Sequence, residues 1–125
     1  MPETHEIPIP ISNYVRLIER KESPYYDLVV HIIRKMEDEM EANPGSQIIC
    51  SINPRDLKEE IEEKIPSKKL TPVNISRTIL ALLYGSRLQK EEDFYTTTSN
   101  GGRKNYHIRV NDTNVNSLKL SAGLF

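Results

Sequence analysis

Three times in this chain a helix-capping residue and a proline stand directly before an apolar run at helical spacing: Ser23-Pro24, Asn53-Pro54 and Thr71-Pro72. Serine, asparagine and threonine side chains accept hydrogen bonds from the first unpaired N–H groups of a helix. Proline holds φ near the helical value and lacks an N–H that the first turn would leave unpaired anyway. Each pair therefore marks a helix start. A chain with three such starts, each succeeded by a stop signal, must find a way to pack its helices together.

The apolar residues beyond each start mark the face that is buried. After Ser23-Pro24 come Leu28, Val29, Ile32, Ile33, Met36 and Met40 at helical spacing, and Asn43-Pro44-Gly45 ends the run. After Asn53-Pro54 a narrower stripe, Leu57, Ile61 and Ile65, is flanked by Glu59, Glu60, Glu62 and Glu63 and stopped by Pro66. Residues 66–70 form a short turn into the third helix, predicted over 72–84. Its core face is Ile75, Ile79, Leu82 and Leu83; its free face is Asn74, Arg77 and Ala81, and Gly85 is placed to terminate it.

Strand signals fill the remainder. Residues 46–52 are short and isoleucine-rich. After a charged stretch, 89–93, residues 94–98 have strand composition, and Ser99, Asn100, Gly101 and Gly102 suit a hairpin turn. Residues 103–110 return as a strand with Tyr106, Ile108 and Val110 on one face. The fold class is α+β: an N-terminal arm over 1–22, a domain over 23–110 and a C-terminal tail over 111–125. In the arm, Ile7, Ile9 and Ile11 alternate with Pro8 and Pro10, and Ser12 is placed to cap a short helix over 13–20. In the tail, Leu118, Leu120, Leu124 and Phe125 can cover the core or pair two subunits, and a homodimer is expected.

The net charge of −1 conceals an asymmetry: residues 1–66 carry 8 Lys and Arg against 14 Asp and Glu, whereas residues 67–125 carry 9 against 4. A basic half points to a polyanionic partner. No secretory signal is read at the start and no apolar run is long enough to span a membrane, so a cytoplasmic protein is expected. Enzyme readings find little: His5, His31 and His107 are scattered, and no strand leads into a glycine-rich phosphate loop. Cys50, the single cysteine, reads as a buried, inert thiol, and Tyr25 and Tyr26 as packing residues rather than nucleophiles. No metal, cofactor, small-molecule substrate or catalytic activity is expected.

The order helix, strand, helix, helix, hairpin over residues 24–110 resembles the winged helix-turn-helix superfamily, as found in prokaryotic and archaeal transcriptional regulators. The resemblance rests on element order, apolar spacing and the glycine-containing hairpin tip, not on a residue signature. It implies that helix 72–84 lies in the major groove of double-stranded DNA and that hairpin 94–110 is a wing reaching backbone or minor groove. On this chain Asn74 and Arg77 match base-reading positions, asparagine pairing with adenine and arginine with guanine. Lys68, Lys69 and Thr71 suit phosphates, helped by free N–H groups at the helix start, and Arg103 and Lys104 flank the wing tip. The acidic residues Glu91, Glu92 and Asp93 are expected at the end of the hairpin away from DNA. Regulation of transcription is the function implied. Two alternatives stand beside it: a winged helix serving as a protein-interaction module, and a replication or partition accessory factor that binds DNA without sequence preference.

Overall fold

The computed structural model describes residues 23–45, 47–99 and 102–123. The expected arm and its short helix, Ser46, the tip residues Asn100 and Gly101, and Leu124 and Phe125 lie outside the described residues. Those described form an α+β fold of four helices and a three-stranded antiparallel sheet: α1 (Pro24–Ala42), β1 (Ile48–Ile52), α2 (Pro54–Ile61), α3 (Pro72–Gly85), β2 (Phe94–Ser99), β3 (Arg103–Val110) and α4 (Asp112–Ser121). Among them no helix is long and apolar enough to cross a membrane.

All three cap-and-proline pairs open helices. The Ser23 hydroxyl accepts from the Tyr25 N–H at 3.0 Å, Asn53 Oδ1 from the N–H groups of Arg55 and Asp56 at 3.0 and 3.1 Å, and Thr71 Oγ1 from that of Asn74 at 3.2 Å. Helix α2 is shorter than its apolar stripe suggests. It ends at Ile61, and Ile65 is carried on by one further turn bonded to the Ile61 carbonyl.

A fourth capped helix stands where a tail was expected. Asn111 Oδ1 accepts from the Asn114 N–H at 2.8 Å and opens α4, whose Val115 and Leu118 are buried against the rest of the core. The asparagines that read as loop are structural. Asn114 is only 5% exposed, and its amide donates to the Arg109 carbonyl at 2.9 Å, locking α4 to the end of β3.

The sheet order is β1-β3-β2, so β3 is the central strand. Register places Cys50, Ile108 and Phe94 in one row facing the helices and Ser51, His107 and Tyr95 in the next row facing out. The core joins the inner face of the sheet to Leu28, Val29, Ile32, Ile33 and Met36 of α1 and Ile75, Ile79, Leu82 and Leu83 of α3. Burying each large apolar side chain contributes about 1.5–3 kcal/mol. Among polar contacts, Glu60 of α2 accepts from Lys35 at 2.8 Å and bonds His31 at 2.7 Å, clamping α2 to α1, and Lys119 of α4 reaches Glu37 of α1 at 2.9 Å.

Helix α3 ends at Gly85 as expected, but Gly85 is not its left-handed cap. Glycine is its last helical residue, and the left-handed position falls on Arg87, with φ 60°. The Arg87 N–H bonds the Tyr84 carbonyl at 3.0 Å and the Leu88 N–H bonds the Leu83 carbonyl at 3.2 Å, while Leu83 and Leu88 are both buried. This is a Schellman ending with its apolar contact in place, but with arginine where glycine is favoured. Arg87→Gly should raise stability by about 0.5–1 kcal/mol, read as a higher urea midpoint at unchanged slope.

The Glu60 clamp sets a pH response. Hydrogen bonds from Lys35 and then His31 hold its carboxyl below its ordinary value of 4.5. A carboxyl lowered by folding adds stability above its unfolded value, and that stability is lost as pH falls through the lower folded value. Because the side chain is 40% exposed, solvent screening limits the effect to under about 1 kcal/mol. Urea titrations near pH 6 and pH 3 should show Glu60→Gln costing stability at the higher pH and almost nothing at the lower.

Candidate nucleic-acid interface

Helices α2 and α3 start side by side against the beginning of β3, and between them lies a groove of about 440 Å³. Asn53, Pro54 and Arg55 line it from α2; Pro72, Val73, Ser76, Arg77 and Leu80 from α3; Gly102, Arg103, Lys104 and Tyr106 from the hairpin. Two side-chain bonds fix these walls to β3. The Asn53 amide donates to Asn105 Oδ1 at 2.9 Å, and Ser76 Oγ bonds the Tyr106 hydroxyl. Burial pushes the Tyr106 phenol above its ordinary value while the Ser76 bond pulls the other way, so the hydroxyl stays protonated at neutral pH.

The electrostatics of the groove are one-sided. Its lining has four cations, Arg55, Arg77, Arg103 and Lys104, and no carboxylate. None of the four is in an ion pair among the described residues. A wider depression of about 1060 Å³ along α1 is different in kind: Arg34, Lys35 and Lys64 there face Asp27, Asp38, Glu39 and Glu60. Its charges offset one another, so it has no net pull on a polyanion.

The structure brings together three of the residues expected from sequence, Arg77, Arg103 and Lys104, and adds Arg55. The others lie elsewhere or are engaged. Lys68 and Lys69 are exposed on the turn before α3, and Lys68 borders a separate depression with Lys58, Glu62 and Ile65. Thr71 caps α3, and the Asn74 amide donates to the Lys69 carbonyl at 2.6 Å. Ala81, expected on the free face, is fully buried. The exposed face of α3 is rotated from Asn74–Arg77–Ala81 to Val73–Arg77, with Ser76 and Leu80 half-buried beside it. Of the first N–H groups of α3, Thr71 takes those of Asn74 and Ile75 and Pro72 has none, so only that of Val73 is left for a phosphate.

Arg55 is hard to find from sequence because its helix is dominated by glutamates. Its position carries a signal all the same: Asn53-Pro54-Arg55 and Thr71-Pro72-Val73 put Arg55 and Val73 at the same place after their caps. Val73 and Leu80 lie outside the α3 core stripe, and their seven-residue spacing puts them on one side of a helix.

The outer face of the sheet is polar and bonded within itself. The His107 ring lies between the Ser51 and Thr97 hydroxyls, both at 2.8 Å, and stacks on Tyr95 with centroids 4.6 Å apart. The acidic turn before β2 folds back on β3, where the Arg109 N–H bonds the Asp93 carbonyl and Arg109 Nε the Glu92 carbonyl. The six residues of β2 at about 3.3 Å each put that turn roughly 20 Å from Arg103 and Lys104.

Comparison with family models, with curated proteins and with solved structures yields no match for this chain.

Cys50 is buried at 1% exposure on the inner face of β1, and burial pushes its thiol up to about 11. Reactivity tracks the thiolate. A thiol-reactive dye at pH 7.5 should leave the native protein unlabelled over hours and label it within minutes in urea. Rapid labelling without denaturant would mean that the sheet opens readily.

Proposed function

We propose that this chain is a winged helix-turn-helix domain that binds double-stranded DNA, with α3 in the major groove and the β2–β3 hairpin as its wing. The observation that carries the reading is the groove of four cations and no carboxylate where α2, α3 and the hairpin meet. Phosphates attract such a cluster, and each lysine or arginine that neutralises one releases a counterion. Arg103 and Lys104 track the backbone from the hairpin, Arg55 holds a phosphate beside α2, and Arg77 points from α3 toward base edges. Lys68 and Lys69 contact the backbone from the turn. Thr71 and Asn74 position α3 rather than read DNA. Control of transcription is the role this binding suits, and no catalytic step is needed for it.

A second reading has its own observation. Val73 is 58% exposed, and the groove floor includes Pro54, Pro72 and Tyr106. An apolar floor within a cationic rim also fits an acidic peptide with apolar anchors.

Fluorescence anisotropy on a labelled random-sequence duplex separates the two. Wild type should bind and weaken by two or more orders of magnitude between about 50 and about 200 mM salt. Replacing Arg77 and Arg103 by alanine together, or Arg55 alone, should lower affinity, and loss of each phosphate contact, Arg103 or Arg55, should flatten the salt slope by about one. Absence of binding even at low salt, with capture of an acidic amphipathic peptide instead, sinks the DNA reading.

A further inference from the structure

We infer that Val73 and Arg77 are the sequence-reading pair of this domain, Val73 packing on the methyl group of a thymine and Arg77 bonding a guanine one or two base pairs away. The inference rests on the DNA reading above and deepens it. Its basis is which side chains on the leading part of α3 still have an uncommitted end. Asn74 donates its amide to the Lys69 carbonyl, Ser76 is bonded to Tyr106, Thr71 caps the helix, and Ile75, Thr78 and Ile79 are buried. That leaves two side chains that protrude, Val73 and Arg77.

Their chemistry is complementary. Val73 is 58% exposed in the first turn of a helix whose other large apolar residues are covered or half-covered. It has no hydrogen-bonding group, and the one apolar feature of the major groove is the thymine methyl. Arg77 comes four residues later on the same face, so the two side chains are neighbours one turn apart. That turn advances about 5.4 Å, against about 3.4 Å between base pairs, so the two contacts fall on adjacent or next-adjacent pairs. Arginine bonds O6 and N7 of guanine, and here no carboxylate lines the groove to divert it. The Ser76–Tyr106 and Asn53–Asn105 bonds hold the reading helix and the hairpin in one register, which a two-point readout requires.

The test starts from a duplex selected from a random pool by the full chain. In that duplex each thymine is replaced singly by deoxyuridine, which removes only the methyl, and each guanine by 7-deazaguanine, which removes only N7. One deoxyuridine should weaken wild type about three- to fivefold and leave Val73→Ala unaffected. A 7-deazaguanine within two base pairs of it should weaken wild type roughly tenfold and leave Arg77→Ala unaffected. Alanine at the exposed position 73 keeps a good helix former, and thermal unfolding checks that the fold persists. Selective binding with no deoxyuridine effect, or one that persists in Val73→Ala, overturns the pairing and leaves the DNA reading standing. A pool that binds but yields no preferred sequence overturns the pairing in favour of backbone binding alone. Failure of any duplex to bind overturns both.

Discussion

Strand β3 is the element to which everything else is tied. It pairs with both other strands, receives α2 through Asn105, receives α3 through Tyr106, and hands the chain to α4 through the bond from Asn114 to the Arg109 carbonyl. Alternation along a strand makes this possible, because successive side chains face opposite ways. Tyr106, Ile108 and Val110 enter the core, while Arg109 stays on the outer side with its partners in the acidic turn. The groove is therefore a by-product of one central strand with two helix starts fixed beside it. Moving either bond would move a wall of the groove.

The energetic weights are uneven. The packed interior of α1, α3 and the sheet dominates stability, whereas the exposed Glu60 and Glu37 ion pairs are orienting contacts of modest worth. Helix caps lie between, each of the order of 1 kcal/mol. The cations of the groove contribute to none of these terms. All four line one groove, and among the described residues none of them is in an ion pair. A cluster of one sign without ion pairs is consistent with an anion-binding role.

The order of the elements was legible because capping is local chemistry: Ser23, Asn53 and Thr71 act on N–H groups two or three residues away. The faces were legible where apolar residues crowd, as in α1, and ambiguous where they are sparse. On α3 small size is misleading. Ala81 looks suitable for a free face, yet its lack of bulk is what lets it lie fully buried. Asn74 looks like a base reader because its bond to the Lys69 carbonyl depends on a turn geometry that no spacing reveals. Helix α4 is hidden by polar composition, since nothing local distinguishes an asparagine in a loop from Asn114 holding a helix against a strand. Arg55 joins Arg77, Arg103 and Lys104 only through tertiary packing, across separations of more than twenty residues.

The separation of charge along the hairpin has a consequence before any contact is made. Glu91, Glu92 and Asp93, with Lys90 and Arg109 beside them, leave one end of the hairpin at a net charge of −1, while Arg103 and Lys104 give the other end +2. In the field of a polyanion the two ends feel opposite forces, and the resulting torque turns the molecule until its cationic end leads. On the DNA-binding reading proposed above, this would operate over about 10–30 Å at low ionic strength, so the domain would arrive already aligned and fewer collisions would be wasted. Salt would slow that approach as well as weaken the contact, through the same charges acting at a distance.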